Sequence, residues 1–130
     1  MIETDLRTWL AALDNAPPVH FAHLEGNPGD RFAWFIRSGD ESLDTIDGDG
    51  EPDIIYFDLE LFDSNLETLV ALAKALTARR DYRGVFGTGY VEDVAIEDHR
   101  DDYESQSSAD TLPTYMKAFR LTISGYIGAE

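Results

Sequence analysis

Carboxylates dominate the groups that could do chemistry in this chain, which carries 26 acidic against 10 basic residues in 130. Asp44, Asp47, Asp49 and Glu51 crowd the run DTIDGDGEPD, and oxygen ligands at such spacing suggest calcium. An EF-hand loop needs acids at positions 1, 3 and 5, glycine at 6 and glutamate at 12. With Asp47 first, the sixth residue is Pro52; with Gly50 sixth, the first is Thr45 and the twelfth Tyr56. The arithmetic fails both ways, and the flanks read as strands where helices are required.

Three histidines invite a metal reading. His20 and His23 on one strand point to opposite faces, and His99 lies among acids, so structural histidines are the simpler reading. Nucleophilic catalysis lacks its parts: there is no cysteine and no GxSxG elbow. Paired acids such as Asp101 with Asp102 are abundant, but an acid–base couple needs a pocket that separates two pKa values. GTGY at Gly87 to Tyr90 follows a helix and precedes a strand, the reverse of a phosphate cradle. No catalytic residue, cofactor or metal is assigned, and the chain is read as a non-enzyme.

The remaining cluster is basic. Arg79, Arg80 and Arg83 accompany Tyr82 in an otherwise acidic chain. One reading has Arg79 and Arg80 capping the carboxyl end of their own helix. The other sets the three arginines against acids of a neighbouring subunit, since opposite patches on one protomer favour head-to-tail rings.

Periodicity supplies the elements that position these groups. Ile2, Leu6, Trp9, Leu10 and Leu13 make one helical stripe, with Glu3 and Asp5 near the positive end. Asn15, Pro17 and Pro18 stop it. Val19 to Leu24 and Phe32 to Arg37 read as strands, and Asp40 to Asp53 as an acidic loop. Ile55, Phe57, Leu59 and Leu61 alternate with Tyr56, Asp58, Glu60 and Phe62, the clearest strand. Ser64 with Glu67 reads as a capping box for a helix faced by Leu66, Leu69, Val70, Ala73 and Leu76. YRGVFGTG reads as a turn-rich connector. Val91 to Glu97 and Tyr115 to Ile127 are strands flanking a polar arm, Asp98 to Thr114. The sum is one α+β domain over residues 1–130, a mainly antiparallel four- to five-stranded sheet. Two amphipathic helices pack on one face, and a long hairpin arm extends from it. Tyr56, Asp58, Glu60, Arg120, Thr122 and Ser124 make the other face polar, towards solvent or an oligomer partner.

The formal charge of −16 is local. Asp40 to Asp53 holds seven acids and Glu92 to Asp110 eight, so 15 of the 26 lie in two stretches. Such a charge opposes general nucleic-acid binding and attachment to an anionic membrane. No apolar run approaches the length of a bilayer span, so no membrane partner is expected. The absence of cysteine fits a reducing compartment.

In this order of elements the whole chain resembles the small tail-completion and tail-terminator proteins of long-tailed bacteriophages and related prophage or gene-transfer particles. The most telling residues are IEDHRDDYE within Val91 to Glu104, followed after an interval by YMKAFRLTISGYI at Tyr115 to Ile127. The resemblance implies a structural protein of the virion tail, assembled in the host cytoplasm. It implies a ring, typically a hexamer, that caps the head-proximal end of the tail tube, stops its polymerisation and mediates head–tail joining. Its partners would be copies of itself, the major tail tube protein and head-completion proteins, with DNA only as passing cargo along an acidic lumen. Contacts would come from Asp40 to Asp53 and Glu97 to Asp110. Arg79, Arg80 and Arg83 would face Asp98, Asp101 and Asp102 between subunits, with Asp44, Asp47, Asp49 and Glu51 as loop contacts. Reversing Arg79 and Arg80 to glutamate is then expected to weaken assembly and spare the fold.

Two alternatives belong to other classes: an acidic DNA mimic that inhibits a nucleic-acid-binding protein, and a calcium-binding interaction module. A mimic needs charge spread at phosphate-like spacing, whereas these acids cluster in two stretches. For the calcium module, isothermal titration with calcium is expected to give no saturable heat; a saturable isotherm would restore that reading.

Overall fold

The computed structural model describes residues 1–21, 31–41, 54–102 and 115–128, with the side chains of Arg100, Asp101 and Asp102 outside the description. In chain order the elements are α1 (Ile2–Ala11), β1 (Val19–Phe21), β2 (Arg31–Glu41), β3 (Ile54–Asp63), α2 (Leu66–Thr77), β4 (Gly84–Phe86), β5 (Gly89–Val91), β6 (Asp93–Asp102) and β7 (Tyr115–Ser124). Five strands form one sheet in the order β1-β2-β3-β7-β6; β4 and β5 form a separate two-stranded sheet. Only β1 runs parallel to its neighbour, Val19 facing Ala33. The α+β class and the mainly antiparallel five-stranded sheet agree with the sequence reading.

Alternation decides which face of the sheet is covered. In β3 every odd residue from Ile55 to Asp63 is buried, and the even ones are half-exposed. Phe35, Phe57 and Phe119 meet at the centre of the buried face, Phe35 edge-on to Phe57 at 5.6 Å. Leu6 and Leu10 of α1, and Leu69, Leu72 and Leu76 of α2, close over them. Each helix therefore exists because its apolar stripe has this one surface to bury against.

Several boundaries differ from the sequence reading. The cap of α2 is Asn65, whose side chain accepts from the Thr68 N–H at 3.1 Å. Ser64 is displaced from that role because Asp63, itself buried, takes the Asn65 N–H at 2.8 Å and fixes the turn one residue later. Leu72 completes the buried stripe of α2, while Leu66 is exposed. Val91 ends the small hairpin rather than opening β6, and β6 runs on to Asp102 through residues expected in the arm. Asp40 and Glu41 lie in β2, not in a loop; the rest of the acidic loop to Asp53 falls outside the described residues, as does the arm beyond Asp102.

The connector YRGVFGTG is the largest correction, because it folds as the β4–β5 hairpin. Its turn sits on α1, where Asp5 is buried to 1% exposure within the first helical turn. Asp5 accepts hydrogen bonds from the Thr88 hydroxyl at 2.7 Å, the Thr88 N–H at 3.0 Å and the Tyr126 hydroxyl at 2.6 Å. Gly87, at φ +62°, leaves no room for a side chain: a Cβ there would stand 2.6 Å from the Asp5 Cα. The hairpin thus needs both the acid and the glycine.

Burial by itself would raise the Asp5 carboxyl, but the hydrogen bonds from Thr88 and Tyr126, with the amino-terminal charge, outweigh it and hold it below the usual aspartate range. A carboxyl lowered by folding adds stability above its unfolded pKa and loses it as pH falls through the folded one. Urea unfolding across that acid range is therefore expected to show a pH-dependent loss that Asp5→Asn reduces. The same substitution should cost about 1–3 kcal/mol at neutral pH; an unchanged pH profile would count against the linkage.

Candidate interaction surface

The predicted arginine cluster is divided by the structure into three different situations. Arg79 leaves its own helix and donates to the Trp9 carbonyl at 3.0 Å and the Ala12 carbonyl at 3.2 Å. Its guanidinium lies 5.1 Å from the Trp9 ring centre. It therefore caps the negative end of α1, not of α2 as the first sequence reading had it. Arg80 is exposed but donates from Nε to the Ile96 carbonyl of β6 at 3.3 Å. Arg83 is exposed and, among the described residues, has no ion-pair partner.

Of the acids set against them, Asp98 is exposed on β6, the outer strand of the sheet. Asp101 and Asp102 continue the same strand, paired in register with Lys117 and Met116. Asp44, Asp47, Asp49 and Glu51 lie outside the described residues. Among the described side chains Asp98 forms no ion pair with Arg79, Arg80 or Arg83, although Arg80 reaches its strand at Ile96. Among the described residues no group of three His, Asp or Glu is arranged to hold a metal ion. His20 has its Nε2 buried without a partner there, and His23 lies outside the description. No described helix is long and apolar enough to cross a membrane.

The face of the sheet opposite the helices is less polar than its β3 and β7 residues foretell. Cross-strand register puts Ile36 beside Asp58 and Arg120, and Trp34 beside Glu60 and Ala118. Phe32 stacks on Phe62 at 4.6 Å nearby. A cavity of about 260 Å³ opens here, lined by Trp34, Ile36, Asp58, Glu60, His99 and Ala118 among others. His99 is the residue bulged out of the β6 ladder between Asp98 and Arg100, which tilts it towards the cavity. Asp58 and Arg120 form an ion pair at 3.3 Å, and Glu97 stands opposite Arg120 across the β6–β7 ladder. The available signal was FAWFIR, whose even residues alternate away from the core with apolar side chains.

A second surface lies on the helix side. The hairpin turns outward Val85, 65% exposed, and Tyr90, 42% exposed, while Ile127 beside them is 66% exposed. Val85 pairs with Tyr90 across the hairpin, and Tyr90 exchanges backbone hydrogen bonds of 2.9 and 2.8 Å with Ile127. The three side chains stand in one row on a hydrogen-bonded platform. Together they make a small exposed apolar patch on the hairpin.

No protein-family model matches the chain, and no curated protein matches it. Among solved structures, a chain from "Virion of native gene transfer agent (GTA) particle" is similar at 19% identity, covering 95% of this chain and 92% of that one, with a TM-score of 0.47. Another solved chain is similar at 15% identity, covering 98% of this chain and 92% of its own length, again with a TM-score of 0.47. Overlap at this level decides neither family nor function.

The different engagement of the arginines changes what their substitution should do. Arg79→Glu is expected to destabilise the fold by about 1–3 kcal/mol, because two carbonyls and a ring lose their cation. Arg83→Glu should stay within about 0.5 kcal/mol of the parent. Urea unfolding of both variants checks the contrast; equal losses would contradict it. The double reversal at Arg79 and Arg80 is thus no test of assembly alone.

Proposed function

We propose that this chain is a non-catalytic structural component of a phage-like tail. In this reading it forms a ring, a hexamer by the family pattern, that caps the head-proximal end of the tail tube. The ring stops tube polymerisation and joins tail to head, in contact with the major tail tube protein and head-completion proteins. DNA passes through it as cargo.

What carries the reading is the place of the phrase IEDHRDDYE in the fold. Its residues from Ile96 to Asp102 form the outer edge of the sheet, paired with the returning strand β7 as far as Met116. An exposed edge strand is normally blunted against uncontrolled pairing, and Glu97 and Asp98 do this with charge. The acidic strand and the exposed arginines Arg80 and Arg83 of the turn after α2 give a protomer patches of opposite sign. Contacts between unlike surfaces produce rings when the rotation closes.

Mixing the protein with its cognate major tail tube protein tests this. A ring-sized species by sedimentation, and tubes that stop growing with density at one end by electron microscopy, are the expected results. Tubes that elongate unchanged while the chain remains unbound would overturn the proposal.

A further inference from the structure

The site around Asp5 suits a charged carboxylate better than a neutral acid. Oδ1 accepts the Thr88 N–H and the Thr88 hydroxyl, and Oδ2 accepts the Tyr126 hydroxyl. A neutral acid carries a proton of its own, which at either oxygen meets a donor already pointing inwards. A hydroxyl must then turn round or a bond must be given up, at a residue 1% exposed. We propose that Asp5 is an acid-sensitive latch: its protonation releases the β4–β5 hairpin and residues 125–128 as one unit, while the five-stranded sheet stays formed.

The two segments lie outside the large sheet and are tied to each other. β4 and β5 pair with one another in a sheet of their own. Tyr90 exchanges backbone hydrogen bonds with Ile127, beyond the end of β7. A Cβ on Gly89 would lie 2.6 Å from the Ile127 carbonyl oxygen and 2.9 Å from Asp5 Oδ2, so hairpin, terminal segment and latch are in direct contact. Gly84 at φ +137° and Gly125 at φ +66° begin the two segments, where backbone rotation is least restricted. Phe86 and Val91 are fully buried and resist release, so the open form is a minor state at neutral pH. The groups facing the carboxyl are the amino terminus of its own helix, Thr88 from the hairpin and Tyr126 from the terminal segment. In the acid range the amine stays charged and the phenol neutral, so at this site the carboxyl alone changes state. Burial raises it, but the hydrogen bonds of the closed site outweigh burial and hold it below the usual aspartate range. Protons therefore bind the open form more tightly, and closure is lost as pH falls through the folded value.

The latch stands apart from the proposed tail role, and amide hydrogen exchange tests it by itself. In the parent protein the Thr88, Tyr90 and Ile127 amides are expected to share one opening constant. It should lie about tenfold or more above that of Leu59 in β3 and be nearly independent of urea. Acidification should raise it further. Asp5→Asn should be about tenfold more open at neutral pH and follow acid less steeply than the parent. Tyr126→Phe, which keeps the buried ring and removes only the hydroxyl, should raise opening at Thr88 as much as at Ile127. Hairpin and terminal amides that open only together with Leu59 would overturn the latch. So would a Tyr126→Phe effect confined to Ile127, or an Asp5→Asn variant with the parent's acid dependence.

Discussion

Much of this structure hangs on one buried carboxylate. Asp5 accepts three hydrogen bonds from two segments far away in sequence, the turn at Thr88 and the carboxyl-terminal Tyr126. Hydrogen bonds to a charged acceptor are roughly twice as strong as neutral ones, and here they offset the cost of removing the charge from water. Neither the hairpin nor the last residues could hold position by hydrophobic burial alone. The hairpin contributes Phe86 and Val91 to the core, but its strands are only three residues each, too short to stand as an independent sheet.

That constraint reaches the surface. Because Thr88 and Tyr126 share the same carboxylate, Tyr90 and Ile127 are brought close enough to exchange backbone hydrogen bonds. Their side chains then form the exposed row with Val85. Arg79 reinforces the arrangement from the other end of α1, binding the carbonyls of Trp9 and Ala12 while its guanidinium lies over the Trp9 ring that also packs on Phe86. A cation at one end of the helix and an acid near the other thus fix the layer that presents the hairpin. The internal chemistry of the fold and the chemistry of its outer face are continuous.

The sequence was most legible where a single periodicity ruled. β3 alternates without interruption, and the stripe Ile2, Leu6, Trp9, Leu10 and Leu13 is buried as spacing requires. It was least legible where long-range partners decide the outcome. Asp5 sits within that stripe, one residue before Leu6, and reads as a dipole charge until Thr88 and Tyr126 are seen beside it. Nothing local separates Arg79, which crosses to another helix, from Arg83, which stays free of ion pairs among the described residues. The hairpin was hidden for a related reason. Gly84, Gly87 and Gly89 are turn signals in isolation, yet Gly87 and Gly89 are set against Asp5 and Ile127 at distances that exclude a Cβ. The open face was half legible: β3 and β7 give its polar residues, whereas Trp34 and Ile36 come from a strand whose outward residues are as apolar as its inward ones.

Charge and topology together explain why the acidic excess need not be a uniform coat. In the described residues Glu97 and Asp98 make the outer strand acidic, Asp58 and Glu60 share the open face with Arg120, and on the helix side Arg7, Lys74, Arg80 and Arg83 stand among the exposed acids Asp14, Glu67, Asp81 and Glu92. Like surfaces on two copies would repel, so a symmetric pairing through the acidic strand is disfavoured. An acidic edge strand strengthens the same bias, since Glu97 and Asp98 discourage sheets from joining edge to edge.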